Sequence, residues 1–331
     1  MTFGAALCAS VAIAGDWTSA ATPVEALIPA FTPADGDRST IETTHEQDGR
    51  LKVVIRGDIY DGRRLLKAVF AGLSANAPAA FDVNLDIKVA KLAGFNGEVL
   101  HDVALRFSGR GGAILEFGLT AKLATDADVI GDLRTGHADR QTIHLEASNS
   151  GALLRFLNIY PRVQQGRLSM TMEVPTADHA AQNGTLDVRD FAIVGEPALR
   201  PVLKLSQAGL SPTTPLPTVP VADTPTTEPL ELSHLRIAFQ TLPGHILVGD
   251  AVVIGPTIGA TTTGEIDLAS NDIKLTGTVV RPSAADSRLA VFAFNYKIAG
   301  SLQAPVLQIN PLSALAPGIL RKLSAPIPDG K

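Results

Sequence analysis

Histidine next to a carboxylate is the residue pairing in this sequence with the clearest potential for chemistry, because a carboxylate can orient an imidazole for acid–base work. The pairing with aspartate occurs as His101-Asp102 and as Asp178-His179. A degenerate enzyme domain built around His101 is one interpretation of the first pair. The ordinary interpretation of both is a solvated strand start or turn, which is the one we adopt. The sequence therefore provides no catalytic candidate.

The other patterns that carry chemistry point the same way. The chain contains no H-E-x-x-H, C-x-x-C, G-x-S-x-G or P-loop sequence. The Gly109–Gly112 stretch lets backbone amides approach a phosphate, but it lies between two strand patterns and predicts a hairpin turn. Asp82 and Asp86 would lie about 13 Å apart along one strand, too far for paired acid and base work. We expect a protein that is not an enzyme and has no cofactor or metal.

Composition limits the classes of protein further. The chain has 331 residues, of which 45% are hydrophobic, so it can bury a large core as one large or two medium domains. Charged residues make up 18%, the net charge is −5, and the 28 Lys and Arg are scattered, which gives no indication of a nucleic-acid-binding face. The only cysteine is Cys8, so an internal disulfide and a cysteine-based metal cage are both excluded.

Alternation of apolar and polar residues is the dominant pattern of the chain. Between Phe81 and Val89, apolar residues occupy every second position, with Asp, Asn and Lys between them. Similar segments recur at intervals of eight to twelve residues, separated by glycine turns, as in an antiparallel meander with one apolar face. The pattern predicts a mainly β fold: a long, strongly curved antiparallel sheet that forms a groove or half-pipe. A sandwich of two closed sheets is the alternative.

Two interruptions of the alternation predict short capping helices, at about 62–70 and 149–160. Asp61 is the expected cap of the first, Asn149 or Ser150 that of the second, and Pro161 ends the second.

Domain boundaries follow from composition. Residues 211–229 carry six prolines among Thr and Ser and predict an extended linker between a region at 1–210 and one at 230–331 that continues the sheet. The polar stretch at 32–50 predicts a loop, and the first fifteen residues predict a strand and a turn.

Four segments near the C-terminus carry a resemblance to a known family: GEIDL at 264–268, LTGTVV at 275–280, YKIAGSL at 296–302 and NPLSALAPGILRK at 310–322. Together they resemble the C-terminal region of the AsmA-like family, whose AsmA, TamB and YhdP branches are long periplasmic proteins of Gram-negative bacteria. The last segment is the most specific. The chain departs from the family pattern at Arg281–Asp286, where a longer hydrophobic loop would stand.

The resemblance implies a groove-forming sheet, anchored in the inner membrane, that moves phospholipids toward the outer membrane and supports envelope integrity. We accordingly expect a non-catalytic periplasmic protein whose partners are phospholipids and an outer-membrane or periplasmic protein. Contact with the inner membrane would need an N-terminal helix that is missing from this chain. The competing hypothesis is a structural or assembly module, built as a closed sandwich that binds an envelope partner.

The candidate lipid-contacting residues are the apolar members of the alternating segments. They are Phe81, Val83, Leu85, Ile87, Leu115, Phe117, Leu119, Leu168, Met170, Phe292, Phe294 and Ile298. An apolar C-terminal segment with two cations is the candidate membrane or partner contact, with a helix docked on the sheet end as the alternative. It comprises Leu312, Leu315, Ile319, Leu320, Arg321 and Lys322.

Overall fold

The computed structural model describes residues 36–74, 82–111, 113–123, 126–136, 140–174, 181–196, 229–281, 292–302 and 305–310. These residues form fifteen strands and two helices. The strands are β1 (Arg38–His45), β2 (Leu51–Asp61), β3 (Val83–Ala93), β4 (Val99–Arg110), β5 (Ala113–Leu123), β6 (Ala127–Thr135), β7 (Gln141–Ala147), β8 (Val163–Glu173), β9 (Gln182–Ile193), β10 (Leu230–Leu242), β11 (His245–Ile254), β12 (Gly259–Asp267), β13 (Asp272–Arg281), β14 (Phe292–Ser301) and β15 (Val306–Asn310). The helices are α1 (Arg63–Ser74) and α2 (Ser150–Phe156).

All fifteen strands belong to one sheet, in which spatial order equals chain order from β1 to β15. The sheet is long, open and curved, as the alternation predicts. Strands β9 and β10 pair directly from Ile193–Leu230 to Gln182–Thr241, so the sheet continues across the predicted linker. Because the described strands form a single sheet, they do not form the two-layer sandwich that the sequence left open as an alternative.

One pair of neighbours, β2 and β3, is parallel, whereas every other pair is antiparallel. Parallel neighbours cannot be joined by a tight turn, and α1 lies in the crossover between them. The helix begins where expected, since a carboxylate oxygen of Asp61 accepts a hydrogen bond from the backbone N–H of Arg63 at 3.0 Å. Leu65 of α1 is buried in the same apolar cluster as the sheet.

Three local expectations need correction. The stretch expected to be a loop at 32–50 contains β1, an edge strand in which Ile41 is the one large apolar residue, too sparse a pattern to detect. The helix expected at about 149–160 with Pro161 as its end spans only Ser150–Phe156, because its C-cap is Leu157. Strands β6 and β15 were not anticipated. The first fifteen residues and the predicted linker up to residue 228 lie outside the described residues.

The helix α2 distinguishes the two ends of the strands. It follows β7 and precedes β8, so it lies at the end where Ala147 meets Leu168; we call this the α2 end and the other the opposite end. Its first turn is capped by Asn149, whose side-chain oxygen accepts a hydrogen bond from the backbone N–H of Ala152 at 3.0 Å.

Candidate apolar binding site

One row of residues crosses every strand of the sheet, and its side chains from Ile41 to Tyr296 lie on the inner face. Strand pairing connects each member to the next, and the row, which we call the central row, consists of Ile41, Ile55, Ile87, Leu105, Leu119, Gly131, Leu145, Met170, Leu186, Ile237, Ala251, Thr262, Gly277, Tyr296 and Ile309. Thr262 and Tyr296 are its only members with polar side-chain atoms. At about 4.8 Å per strand, the row follows the curved sheet for roughly 67 Å.

Burial divides the central row into a middle and two ends. Near one end Ile55 and Ile87 are fully buried, and toward the other Ile237 and Tyr296 are 2% and 3% exposed. Between them lies a half-buried stretch of large apolar side chains on β4 to β9, which we call the open segment. It consists of Leu105, Leu119, Leu145, Met170 and Leu186.

The two hydroxyl groups in the central row bond to each other. The Tyr296 hydroxyl lies within hydrogen-bond distance of Thr262 Oγ1 and donates to the Thr261 carbonyl at 2.8 Å. The ring lies over Gly277, where an added Cβ would come within 2.3 Å of the Tyr296 hydroxyl oxygen. The hydroxyls therefore satisfy each other inside the sheet, and the central row stays apolar in character.

A second row runs parallel to the open segment, two residues nearer the α2 end. Strand pairing again connects its members, and we call it the capped row: Ala121, Val129, Ala147, Leu168, Val188, Leu235 and Val253. All are at most 6% exposed. At this end of the sheet α2 adds Leu153, Leu154 and Phe156, each at most 3% exposed, to the same apolar cluster.

The helix is fixed at both of its sides. Toward β8, Gly151 packs so closely that a Cβ would lie 2.5 Å from the Val163 carbonyl. Toward the β3–β4 turn, the Phe156 ring lies over Gly94 and the Phe156 carbonyl accepts the N–H of Phe95 at 3.0 Å. Because these contacts join β8 to a turn four strands earlier, α2 spans the curve of the sheet and closes it at the α2 end.

Two aromatic rings lie over glycines of the neighbouring strand near the open segment. A Cβ at Gly131 would lie 2.7 Å from the Phe117 ring, and one at Gly184 would lie 2.3 Å from the Phe239 ring. A ring in this position occupies the space that a side chain of the next strand would fill. These rings therefore cover the sheet without adding a second layer above it.

The residues proposed from the sequence as lipid contacts fall into four groups. Val83, Leu85, Ile87, Leu168 and Ile298 are at most 6% exposed and pack in the core. Phe117, Leu119 and Met170 are half-buried, whereas Leu115 is 51% exposed. Phe292 and Phe294 are described by their backbone, which pairs with Arg281 and Val279. Phe81, Leu312, Leu315, Ile319, Leu320, Arg321 and Lys322 lie outside the described residues.

The half-buried apolar residues of the strands include five that lie in or near the open segment and were not selected from the sequence: Leu105, Phe107, Leu145, Leu186 and Phe239. The usable signal was present, since each occupies the apolar phase of its strand. What sequence alone did not provide was the register that aligns Leu145 with Met170 and Met170 with Leu186.

Histidine–carboxylate contacts occur at two separate places on the sheet: His234 Nε2 lies 2.6 Å from a carboxylate oxygen of Asp187, and His245 Nδ1 lies 3.0 Å from one of Glu265. His101, in contrast, pairs across the sheet with Lys91 and Lys122, next to a β-bulge that places Asp102 at φ 51°. Asp178 and His179 lie outside the described residues. Within the described ranges, no three His, Cys, Asp or Glu side chains gather as they would around a metal ion.

No protein-family model, curated protein or solved structure matches this chain. The function is therefore inferred from the open segment, its cover and its surroundings. None of the helices in the described part of the chain is both long and apolar enough to cross a bilayer.

One buried polar cluster lies beside α2. The Tyr160 hydroxyl donates to a carboxylate oxygen of Glu196 at 2.5 Å, and Nε of Arg162 lies 3.6 Å from the same oxygen. Burial, reinforced by the negative charge of Glu196, holds the pKa of Tyr160 well above its ordinary value. The cluster fixes the residues after β9 against the turn that follows α2.

Proposed function

We propose that this chain is a non-catalytic periplasmic protein that binds phospholipid acyl chains along the open segment and guides them between the inner and outer membranes, in support of envelope integrity. The observation that carries the proposal is the open segment itself. Five large apolar side chains at inner positions of β4, β5, β7, β8 and β9 are half-buried, with the Phe117 ring over Gly131 of β6 between them, next to a row that is at most 6% exposed. Contiguous exposed apolar surface of this kind is typical of a site for an apolar ligand.

The magnitude of the hydrophobic effect favours an acyl chain as that ligand. Each buried CH₂ contributes about 0.8 kcal/mol, so a sixteen-carbon chain gains on the order of 13 kcal/mol over water before ordering costs. The attraction is non-directional, and a site of this kind accepts different acyl chains without a reactive group.

The dimensions agree with this ligand. The strands β4 to β9 are six neighbours, so the open segment is about 24 Å long. The hydrocarbon core of a bilayer is about 30 Å thick and holds two layers of acyl chains, so one chain extends about 15 Å. A whole acyl chain therefore fits along the open segment.

Location and partners come from the AsmA-like resemblance. A periplasmic site, anchoring in the inner membrane, and an outer-membrane or periplasmic partner belong to the proposal on that ground. Contact of the segment 312–322 with a membrane or a partner belongs to it because the segment is apolar and carries two cations.

The decisive experiment measures bound phospholipid. The protein is purified from a Gram-negative host, and co-purifying phospholipid is extracted and quantified by mass spectrometry for the wild type, Leu145→Glu and Ile130→Glu. Leu145 is in the open segment, whereas Ile130 lies on the outer face, pairs with Glu146 and is 49% exposed. We expect Leu145→Glu to lose most of the bound lipid and Ile130→Glu to retain it.

Three outcomes contradict the proposal: no phospholipid on the wild-type protein, equal loss in both variants, or unfolding of Leu145→Glu. The first, combined with capture of an envelope protein that neither variant disturbs, would support the structural-module hypothesis. Circular dichroism of both variants distinguishes an emptied site from an unfolded chain.

A further inference from the structure

A second, polar cavity lies at the α2 end, away from the open segment. Its volume is about 570 Å³, within the range of small-molecule sites. Two arginines and three side-chain amides supply most of its wall, and the lining residues are Asn149, Arg155, Pro161, Arg162, Gln164, Gln165 and Val194. None of these seven residues is acidic.

The two arginines are each held from behind by protein groups. Nε of Arg155 donates to Glu98 at 2.7 Å, and its Nη1 donates to the Val163 carbonyl at 2.8 Å. Arg162 donates through Nη1 to the Gly195 carbonyl and is 3.6 Å from buried Glu196 through Nε. Among the described residues, Nη2 of neither arginine has a hydrogen-bond partner, so each guanidinium is oriented and retains donors.

Amide side chains add further donors. The side-chain oxygen of Asn149 is engaged as the cap of α2, which leaves its NH₂ group as the donor. In the described part of the chain, the side-chain amides of Gln164 and Gln165 make no hydrogen bond to protein. The carboxylates of Glu98 and Glu196 contact the two arginines but are not among the lining residues, and the guanidinium and amide N–H groups that line the cavity favour an anion.

The backbone at Gln165 supplies an independent observation. Gln165 has φ 58°, a left-handed conformation that a glutamine rarely adopts, and it is held there by Ser150, whose hydroxyl donates to the Gln165 carbonyl at 2.6 Å. The next residue, Gly166, is also left-handed at φ 83°, and a Cβ there would lie 2.6 Å from Ser150 Oγ, so two consecutive residues of β8 have a positive φ and only the second is a glycine. Strain of this kind is characteristic of binding sites, and here it lies in the wall of the cavity.

We propose that this cavity binds a phosphate group, held by the guanidinium forks of Arg155 and Arg162 with the amide of Gln165. A free phosphate and the phosphodiester of a lipid headgroup offer the same acceptor oxygens. The site is independent of the open segment, which binds hydrocarbon.

Calorimetric titration at low ionic strength tests the site with two probes, inorganic phosphate and water-soluble dihexanoyl-phosphatidylglycerol. The variants Arg155→Lys and Arg162→Lys keep a cation beside Glu98 and Glu196 but lose the planar fork. We expect each to weaken binding of at least one probe by about tenfold or more, the loss of one charge-assisted hydrogen bond. Arg167→Lys is the matched control: Arg167 is on β8, two residues after Gln165, pairs with Asp190 and is 71% exposed. We expect it to bind like the wild type.

Gln165→Gly separates binding from folding. Because glycine adopts a positive φ without strain, the melting temperature should not fall, while phosphate binding weakens severalfold. Binding of inorganic phosphate identifies a free-phosphate site, and binding of the phosphatidylglycerol probe alone identifies a headgroup site. No binding of either probe, or a loss in Arg167→Lys equal to that in Arg162→Lys, overturns the proposal. Leu145→Glu should leave binding of inorganic phosphate unchanged, so the two proposed sites fail separately.

Discussion

The capped row and the open segment use the same strands and the same kind of residue, but they differ in exposure. Val129 and Val188 in the capped row are 0% and 1% exposed, whereas Leu145 and Leu186 in the open segment are half-buried. Helix α2 packs on β8 and β9 at the end of the sheet where the capped row lies and adds its apolar side chains to the same buried cluster, whereas the open segment lies two residues farther from it. Apolar alternation makes an inner face, and whether that face becomes core or binding surface depends on what lies over it.

Introduction of a charge gives the largest predicted contrast between the two rows. Val129→Glu places an unpaired carboxylate among fully buried side chains and should lower the free energy of unfolding by about 5 kcal/mol or more. Leu145→Glu keeps its carboxylate in contact with water and should cost about 1–2 kcal/mol. Urea denaturation of both variants measures the difference, and equal losses would show that the open segment is as enclosed as the capped row.

Removal of an apolar side chain of α2 should increase the exposure of the capped row. Phe156→Ala deletes the ring that lies over Gly94 and should cost about 3–5 kcal/mol. Backbone amides of Ala147 and Leu168 should then exchange hydrogen faster, while those at the opposite end of β7 do not. Phe107→Ala, which removes a half-buried ring outside the cover, is the control and should leave exchange in the capped row unchanged.

Alkaline pH should reduce the stability that the buried Tyr160 cluster contributes beside α2. Burial raises the pKa of Tyr160 above its ordinary value of 10.0, so above about pH 10 the unfolded chain loses this proton first. The stability contributed by the protonated hydroxyl is therefore complete below pH 10 and declines as the pH rises toward the folded-state pKa. Tyr160→Phe should cost about 1–3 kcal/mol at neutral pH through the lost hydrogen bond to Glu196, and should flatten the decline.

Thermal unfolding from pH 7 to 12 measures this effect. Part of the decline should persist in Tyr160→Phe, because burial also raises the pKa of Tyr60 to about 12. An unchanged profile in the variant would contradict the assignment to Tyr160.

The smallest predicted effect concerns the ion pair that joins α2 to the β3–β4 turn. Glu98→Gln removes the charge opposite Arg155, and the two side chains are 25% and 27% exposed. We expect a loss of about 0.2–1 kcal/mol, since partly exposed pairs contribute little. Asp190→Asn, in a pair that is 64% and 71% exposed, is the comparison and should change stability less. Chemical denaturation in low salt resolves the two, and a larger loss in Asp190→Asn would reverse the ranking.

Period-two alternation was sufficient to predict the sheet and most of its strands, because the apolar phase along β3, for example, is a local property of the sequence. The two helices were predicted for a related reason. Asp61 and Asn149, which cap the first turns of the helices, lie directly after the alternating segments that the helices interrupt.

The exposure of individual side chains and the register of paired strands could not be predicted from the local sequence pattern. Leu115 shares the apolar phase of Phe117, but Ser108 pairs with Glu116 and Gly109 with Ile114, so a bulge leaves Leu115 without a counterpart. Val83 and Leu85 match the alternation of Leu119, but they are fully buried. The parallel pairing of β2 and β3 could have been predicted, because a helix between two strands is typical of a parallel crossover. The prediction of a simple meander did not use this signal.

The single parallel pair changes where the sheet connects to the rest of the chain. An antiparallel series of fifteen strands would start at one rim and finish at the other. In the α1 crossover the chain crosses the sheet once more, from the end of β2 back to the start of β3. As a result, β1 starts and β15 finishes at the rim that α2 occupies. The first residue of β1 and the last residue of β15 thus lie at a common rim, at opposite extremes of a sheet some 67 Å along its contour. A tether attached to either end of the sheet would hold the α2 rim toward the attached surface. The opposite rim would then face away from that surface.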